Sequence, residues 1–267
     1  MYKRQKLTRC VIDTLQRAGL VGCYVFGHSA GGAAALLAAG QCLGLFSAIY
    51  CFEAVVSTPR THAFMAAATA RGDIQTDGQV LGSMARKRRA VFDSRAAAQQ
   101  HLASKPPFSR FDPQVVSLYV QHGLVEQQQQ PSQGGGEGGP VQLVCAPQQE
   151  AAYFDALQPP PSVQPGSIHC PVMLAVAAGA TQPGAADLAS HERVQAWFYS
   201  QTKQRQLHGS LRVLNIELAA ALAPMARLEE VPGVSHFGPL EQPQALAELC
   251  TKFFEEAGGG NGVRSRL

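Results

Sequence analysis

Apolar positions gather along this chain into short, nearly unbroken runs at residues 21–26, 47–56 and 170–179, and residues 226–231 read as the last strand. Runs of that length, without a polar alternate, predict parallel strands covered on both faces. Between and beyond them the period changes to that of helices. Residues 3–18 carry Leu7, Cys10, Val11 and Leu15 on one side and stop at Gly19, residues 30–39 are alanine-rich, and residues 242–257 are amphipathic. Helices are also predicted around 191–202 and 211–225. Alternating strands and helices of this kind predict an α/β fold, a mostly parallel sheet flanked by helices.

Residues 57–169 break the alternation and predict a helical cap inserted between two core strands, leaving 1–56 and 170–257 as the core. Helical pieces are predicted at 61–70, at 94–103 with Ser94 as N-cap, at 112–122 with Pro113 in the first helical position, and at 147–157. The tract 127–140, glutamine-rich and then glycine-rich, cannot bury a core and is expected to be a disordered insert. Residues 258–267 are expected to form a flexible tail ending in a targeting tripeptide.

The first strand runs into Gly27-His28-Ser29-Ala30-Gly31-Gly32 and then a helix. This is the strand, sharp turn and helix of a nucleophile elbow, in which Ser29 stands exposed and Gly27 and Gly31 are expected where backbones nearly touch. The N–H of Ala30, at the helix N-terminus, is aimed at a developing oxyanion. A serine is a weak nucleophile without a base, and His236, delivered by the last strand, fits that role. His28, adjacent to Ser29, cannot readily turn back onto its hydroxyl and is assigned a substrate or supporting contact. Glu53 interrupts a buried run, which is costly for a carboxylate without a partner. It is the first candidate for the orienting acid, with Asp187 the alternative.

With the elbow and the segment His236-Phe237-Gly238-Pro239-Leu240 in view, the chain resembles the α/β-hydrolase superfamily, in particular its cap-bearing members. The resemblance covers residues 4–257 apart from the low-complexity tract. It implies a serine hydrolase cleaving an ester or thioester of a small-molecule substrate with an apolar acyl part, through Ser29, His236 and an acid. No cofactor is implied. Some lipases of this fold place the acid after the strand beside the elbow, which favours Glu53. Most members place an aspartate just after the later strand, where this chain has residues 180–186 before reaching Asp187. Serine in the elbow argues against the epoxide-hydrolase and dehalogenase branches. The family also has several strands before the elbow and a loop supplying a second oxyanion donor, whereas only residues 1–20 precede this one. The expectation is a core incomplete at its N-terminus, with the elbow strand at an open edge and a tendency to associate. A hydrolase-like binding protein and an inactive fragment are the competing readings.

Composition narrows the partners. With 15% charged residues and a formal net charge of +3, nucleic acid is not an expected partner. Seven cysteines lie scattered without a CxxC pair, and the histidines show no metal-ligand spacing, so buried thiols in a reducing compartment are expected and a metal site is not. No apolar run reaches the ~18 residues of a membrane span, and no signal-peptide core is present near the start. The run Arg86-Lys87-Arg88-Arg89 reads as a solvated face or as a site for a phosphate-bearing tail.

The last three residues, Ser265-Arg266-Leu267, match the small–basic–leucine pattern read by the peroxisomal import receptor, with Arg264 just upstream. The expected location is the peroxisome, with the cytoplasm as alternative, and the substrate guess moves toward fatty-acyl esters or acyl-CoA thioesters. A fluorescent protein ending in residues 258–267 is expected to become punctate in import-competent cells, while a copy lacking Leu267 stays diffuse. Diffuse signal from both would remove the targeting expectation and the main support for a lipid substrate.

Overall fold

The computed structural model describes residues 2–73, 77–127, 139–155, 159–178 and 210–259. Its core is a four-stranded parallel sheet in the order β1 (Cys23–His28), β2 (Phe46–Phe52), β6 (Val172–Ala177), β7 (Ala226–Val231). β6 is its predicted run trimmed at both ends, β2 ends four residues before its run does, β7 matches its predicted span, and β1 starts later and runs on to His28. Side chains along a strand alternate between faces, and along β2 and β6 both faces are covered. Ile49, Cys51, Val172 and Leu174 pack beneath helices α1 (Tyr2–Arg17), α2 (Ala30–Gln41) and α8 (Ser210–Ala221) through Ile12, Ala35, Leu36 and Leu218. Ala48, Tyr50, Phe52, Met173 and Ala175 pack on the opposite face against Leu246, Cys250 and Phe253 of α10 (Pro243–Ala257).

β1 closes one edge of the sheet among the described residues. Its ladder to β2 runs in unbroken register from Tyr24 to His28, and the N–H of Ser29 donates to the carbonyl of Phe52 at 3.0 Å. In a parallel ladder the backbone groups of successive residues point to opposite sides. Val25 and Gly27 therefore face β2, while Tyr24 and Phe26 present their N–H and C=O to the open side. Phe26 is 41% exposed and Val21 78%, so the edge that has no partner among the described residues is also apolar.

The segment between β2 and β6 is not all helix. It holds α3 (Pro59–Ala70), α4 (Asp77–Arg86), α5 (Arg95–Ala103), α6 (Pro113–His122) and α7 (Pro147–Asp155), together with an antiparallel sheet in the order β3 (Val91–Phe92), β5 (Val141–Leu143), β4 (Leu124–Glu126). The side chains of Thr58, Ser94 and Asp112 cap the helices that follow them, each accepting a backbone N–H. The small sheet buries Phe92, Leu124, Val141 and Leu143 against Ala98, Leu102 and Val120. β4 and β5 pair antiparallel, with the N–H of Gln127 donating to Pro140 at 2.9 Å, and residues 128–138 of the glutamine and glycine tract lie outside the described residues.

The basic run is largely consumed within this segment. Arg86 pairs with Asp155, Arg88 with Glu150 and the Tyr119 hydroxyl, and the Arg89 guanidinium lies 5.0 Å from the ring centre of Phe92. All seven cysteines are free, and among the described residues no helix is long and apolar enough to cross a membrane.

Candidate active site

Ser29 stands between β1 and α2 with φ 55° and ψ −119°. For a residue with a side chain such a conformation costs on the order of 1–3 kcal/mol and persists only where its surroundings over-determine it. They do so here. Besides the bond from its N–H to Phe52, the Ser29 carbonyl accepts from the N–H of Ala33 at 3.2 Å and of Val55 at 3.1 Å. The serine makes no side-chain cap to its own helix, so its hydroxyl is not spent there. Ala30 opens α2, and a first-turn N–H has no partner within the helix.

The close approach that the elbow needs is made by Gly27 and Gly32, not by the expected pair Gly27 and Gly31. A Cβ on Gly27 would lie 2.6 Å from the Gly32 Cα, and one on Gly32 would lie 3.0 Å from the Ala54 Cβ. A Cβ on Gly31 would meet nothing within 4 Å. The reason is helical geometry: it takes nearly a full turn after Ser29 for α2 to bring a residue back under the end of β1.

Glu53 follows β2 directly, at φ 45°, with its own N–H bonded to Ala175 at 2.8 Å. Its side chain is only 8% exposed, yet both oxygens are used. Oε1 accepts from the N–H of Ala177 at 3.1 Å and Oε2 from His236 Nδ1 at 2.8 Å. The turn carrying Glu53 is gripped by Asn215, fully buried on α8, which donates to the Ala54 carbonyl at 2.9 Å and accepts from the Ala54 N–H at 3.2 Å. Arg212, one turn earlier on α8, donates to the Ala177 carbonyl at 3.2 Å and so braces the strand end that serves Glu53.

His236 comes from the loop after β7. A carboxylate oxygen can only accept, so Nδ1 carries the hydrogen and Nε2 keeps its lone pair. His28, next to the serine, donates from Nε2 to the carbonyl of His236 at 2.8 Å, and the two rings lie 4.9 Å apart. That nitrogen of His28 is thus engaged with the His236 loop rather than turned toward a substrate. Burial, and then the neighbouring His236, lower the His28 pKa from 6.5 to about 4, so this imidazole stays neutral near pH 7.

The structure therefore brings Ser29, Ala30, His28, Glu53 and His236 to one end of the sheet. Asp187, Ser265, Arg266 and Leu267 lie outside the described residues. Asn215 and Glu241 went unassigned in the sequence; the first is a lone amide within an apolar helix, and the second sits in the histidine loop itself. Among the described residues no group of three or more His, Cys, Asp or Glu side chains could hold a metal.

Two outcomes follow from this geometry. Gly27→Ala is expected to lower the melting temperature steeply or to prevent folding, whereas Gly31→Ala is expected to be tolerated; equal melting curves for the two would refute the packing assignment. For His28, the unfolded chain holds more protons than the folded one between pH 6.5 and about 4, so stability rises with pH there and is lost as pH falls through that window. His28→Gln keeps a donor but takes up no proton, and its melting temperature is expected to fall less than wild type over that window.

No family model and no curated protein sequence matches the chain. Solved structures do match it. The peroxisomal alpha-beta-hydrolase Lpx1 from Saccharomyces cerevisiae superposes with a TM-score of 0.54 at 16% identity, over 91% of this chain and 55% of that one. E-2-(acetamidomethylene)succinate hydrolase matches at 0.55 and 16%, over 96% and 75%, and MenH from S. aureus at 0.51 and 11%, over 96% and 76%. The chain thus spans about half the length of Lpx1 and three quarters of the other two. With parallel strands in this order, an elbow after the edge strand and a histidine loop after the last strand, the fold of this chain is that of the α/β-hydrolases.

Proposed function

We propose that the chain is a serine hydrolase acting on an ester or thioester with an apolar acyl part. The observation that carries the reading is the 2.8 Å bond from His236 Nδ1 to a buried, fully partnered Glu53, at the same end of the sheet as a strained serine that precedes a helix. In this reading His236 Nε2 takes the proton of Ser29 as Oγ attacks the substrate carbonyl, and Glu53 holds the ring and stabilises the imidazolium that forms. The Ala30 N–H donates to the developing oxyanion. The protonated histidine then gives its proton to the leaving alcohol or thiol, and water releases the acyl group from Ser29 by the same steps in reverse roles.

Several solved structures of this fold are named as hydrolases, esterases or a thioesterase, which supports hydrolysis as the reaction class. The name of Lpx1 joins the Ser265-Arg266-Leu267 ending in support of a peroxisomal setting, where fatty-acyl esters and acyl-CoA thioesters would be the substrates to try first.

A fluorophosphonate probe is expected to label Ser29 stoichiometrically, with the adduct mapped by mass spectrometry and abolished in Ser29→Ala. A folded chain that takes no label, or takes it elsewhere, would instead be a hydrolase-like binding protein. Glu53→Gln is expected to lower kcat by roughly two to four orders of magnitude, since the imidazole loses its charged partner while Gln keeps the size. Asp187→Asn is expected to be mild, and the reverse ranking would move the acid to the later loop.

A further inference from the structure

The loop that carries His236 is held from behind by a second buried carboxylate. Glu241 ends α9 (Gly238–Glu241), and its side chain is 5% exposed. Oε2 accepts the backbone N–H of Ser235 at 2.8 Å, and Oε1 accepts the Ser235 hydroxyl at 2.7 Å. The same hydroxyl oxygen accepts the N–H of Phe237 at 3.2 Å. Both neighbours of His236 are thereby fixed by one carboxylate, directly on one side and through Ser235 on the other. The charge on Glu241 is matched from the segment inserted between β2 and β6: Arg110 approaches it as a fork, Nε to Oε1 at 3.0 Å and Nη2 to Oε2 at 3.3 Å.

Two further contacts join the same stretch of the insert to the same loop. The N–H of Asp112 donates to the Leu240 carbonyl at 2.9 Å, and the Phe111 ring lies 5.4 Å from that of Phe237, which in turn lies 5.4 Å from the His236 imidazole. An ion pair to a half-exposed arginine contributes little where both partners are solvated. Here one partner is desolvated, and a buried carboxylate left with only neutral donors is a poor hinge for a loop that must hold an imidazole to within fractions of an ångström.

We infer that Glu241 is a positioning residue for His236 and that Arg110 sets it, so that seating of the insert on the core and alignment of the base are a single event. The inference rests on the hydrolase reading above. It makes the insert more than a cover over the substrate: when the Arg110 stretch lifts, the base loses its alignment even for a substrate small enough to enter unhindered.

The test uses the full chain with Arg110→Met, Arg110→Lys, Glu241→Gln and the Met/Gln double variant. It measures kcat and KM on p-nitrophenyl acetate, the rate of fluorophosphonate labelling at Ser29, and the downfield proton resonance of His236 Nδ1–H. Arg110→Met and Glu241→Gln are each expected to lower kcat and the labelling rate about ten- to a hundredfold with KM within twofold, at a temperature well below both melting points. Arg110→Lys is expected to restore most of the loss, and the double variant to be no worse than Glu241→Gln alone. The Nδ1–H resonance is expected to broaden in both single variants while their folded spectra persist. Wild-type rates and an unchanged resonance in Arg110→Met, or losses that multiply in the double variant, would overturn the inference while leaving the hydrolase reading in place. A wild-type chain that takes no label at Ser29 overturns the hydrolase reading instead; if its Nδ1–H resonance is then the same in wild type and Arg110→Met, the positioning role falls too.

Discussion

A carboxylate placed in the interior at the end of a strand is tolerable only if every lone pair that faces protein is met by a donor, and Glu53 imposes that condition on the whole core. One donor is the backbone of Ala177, which requires β6 to lie beside β2 in the observed register. The other is His236, which requires β7 beside β6 so that its loop reaches across. The turn that aims the carboxylate is fixed in turn by Asn215 and by the bond between Val55 and Ser29. Sheet order and the histidine loop are thus tied directly to one buried charge, and the serine elbow is tied to the turn that carries it.

The strands and the elbow were readable because they rest on local signals: unbroken apolar runs for doubly covered strands, and glycines about a serine between a strand and a helix. Glu53 was readable as an anomaly, a charge in a run that otherwise has none. The glycine pairing was misread because spacing in sequence was taken as spacing in space. Residue 31 is two positions from the serine, but it is Gly32 that faces β1. The small sheet of the insert could not be found by periodicity, since its strands are only two or three residues long and take their stability from α5 and α6 beneath them. The roles of Asn215 and Glu241 are equally invisible to pattern, because each depends on groups far away in the chain or on a loop whose path the sequence does not give.

The histidines show how neighbours divide labour by environment. His236 and His28 are in ring contact, yet one has a carboxylate partner and the other only a carbonyl. Burial, and then the neighbouring His236, outweigh the opposing pull of the Glu53 charge and keep His28 neutral, so the pair avoids placing two positive rings together when His236 takes up a proton.

The open edge of β1 bears on how this region comes apart. A strand in the middle of a sheet opens only when two ladders break, and its amides exchange with solvent at the cost of global unfolding. β1 has a single ladder among the described residues, reinforced from one face by the stacking of Tyr24 on Phe254 and of Phe26 on Tyr50. Within the described residues the strand that delivers the serine is thus held by one ladder, and the strand that leads into the acid by two. On the face where Tyr24 lies, α10 supplies the second hold, its Phe254 stacked on Tyr24, so a helix remote in sequence braces the strand that ends in the elbow.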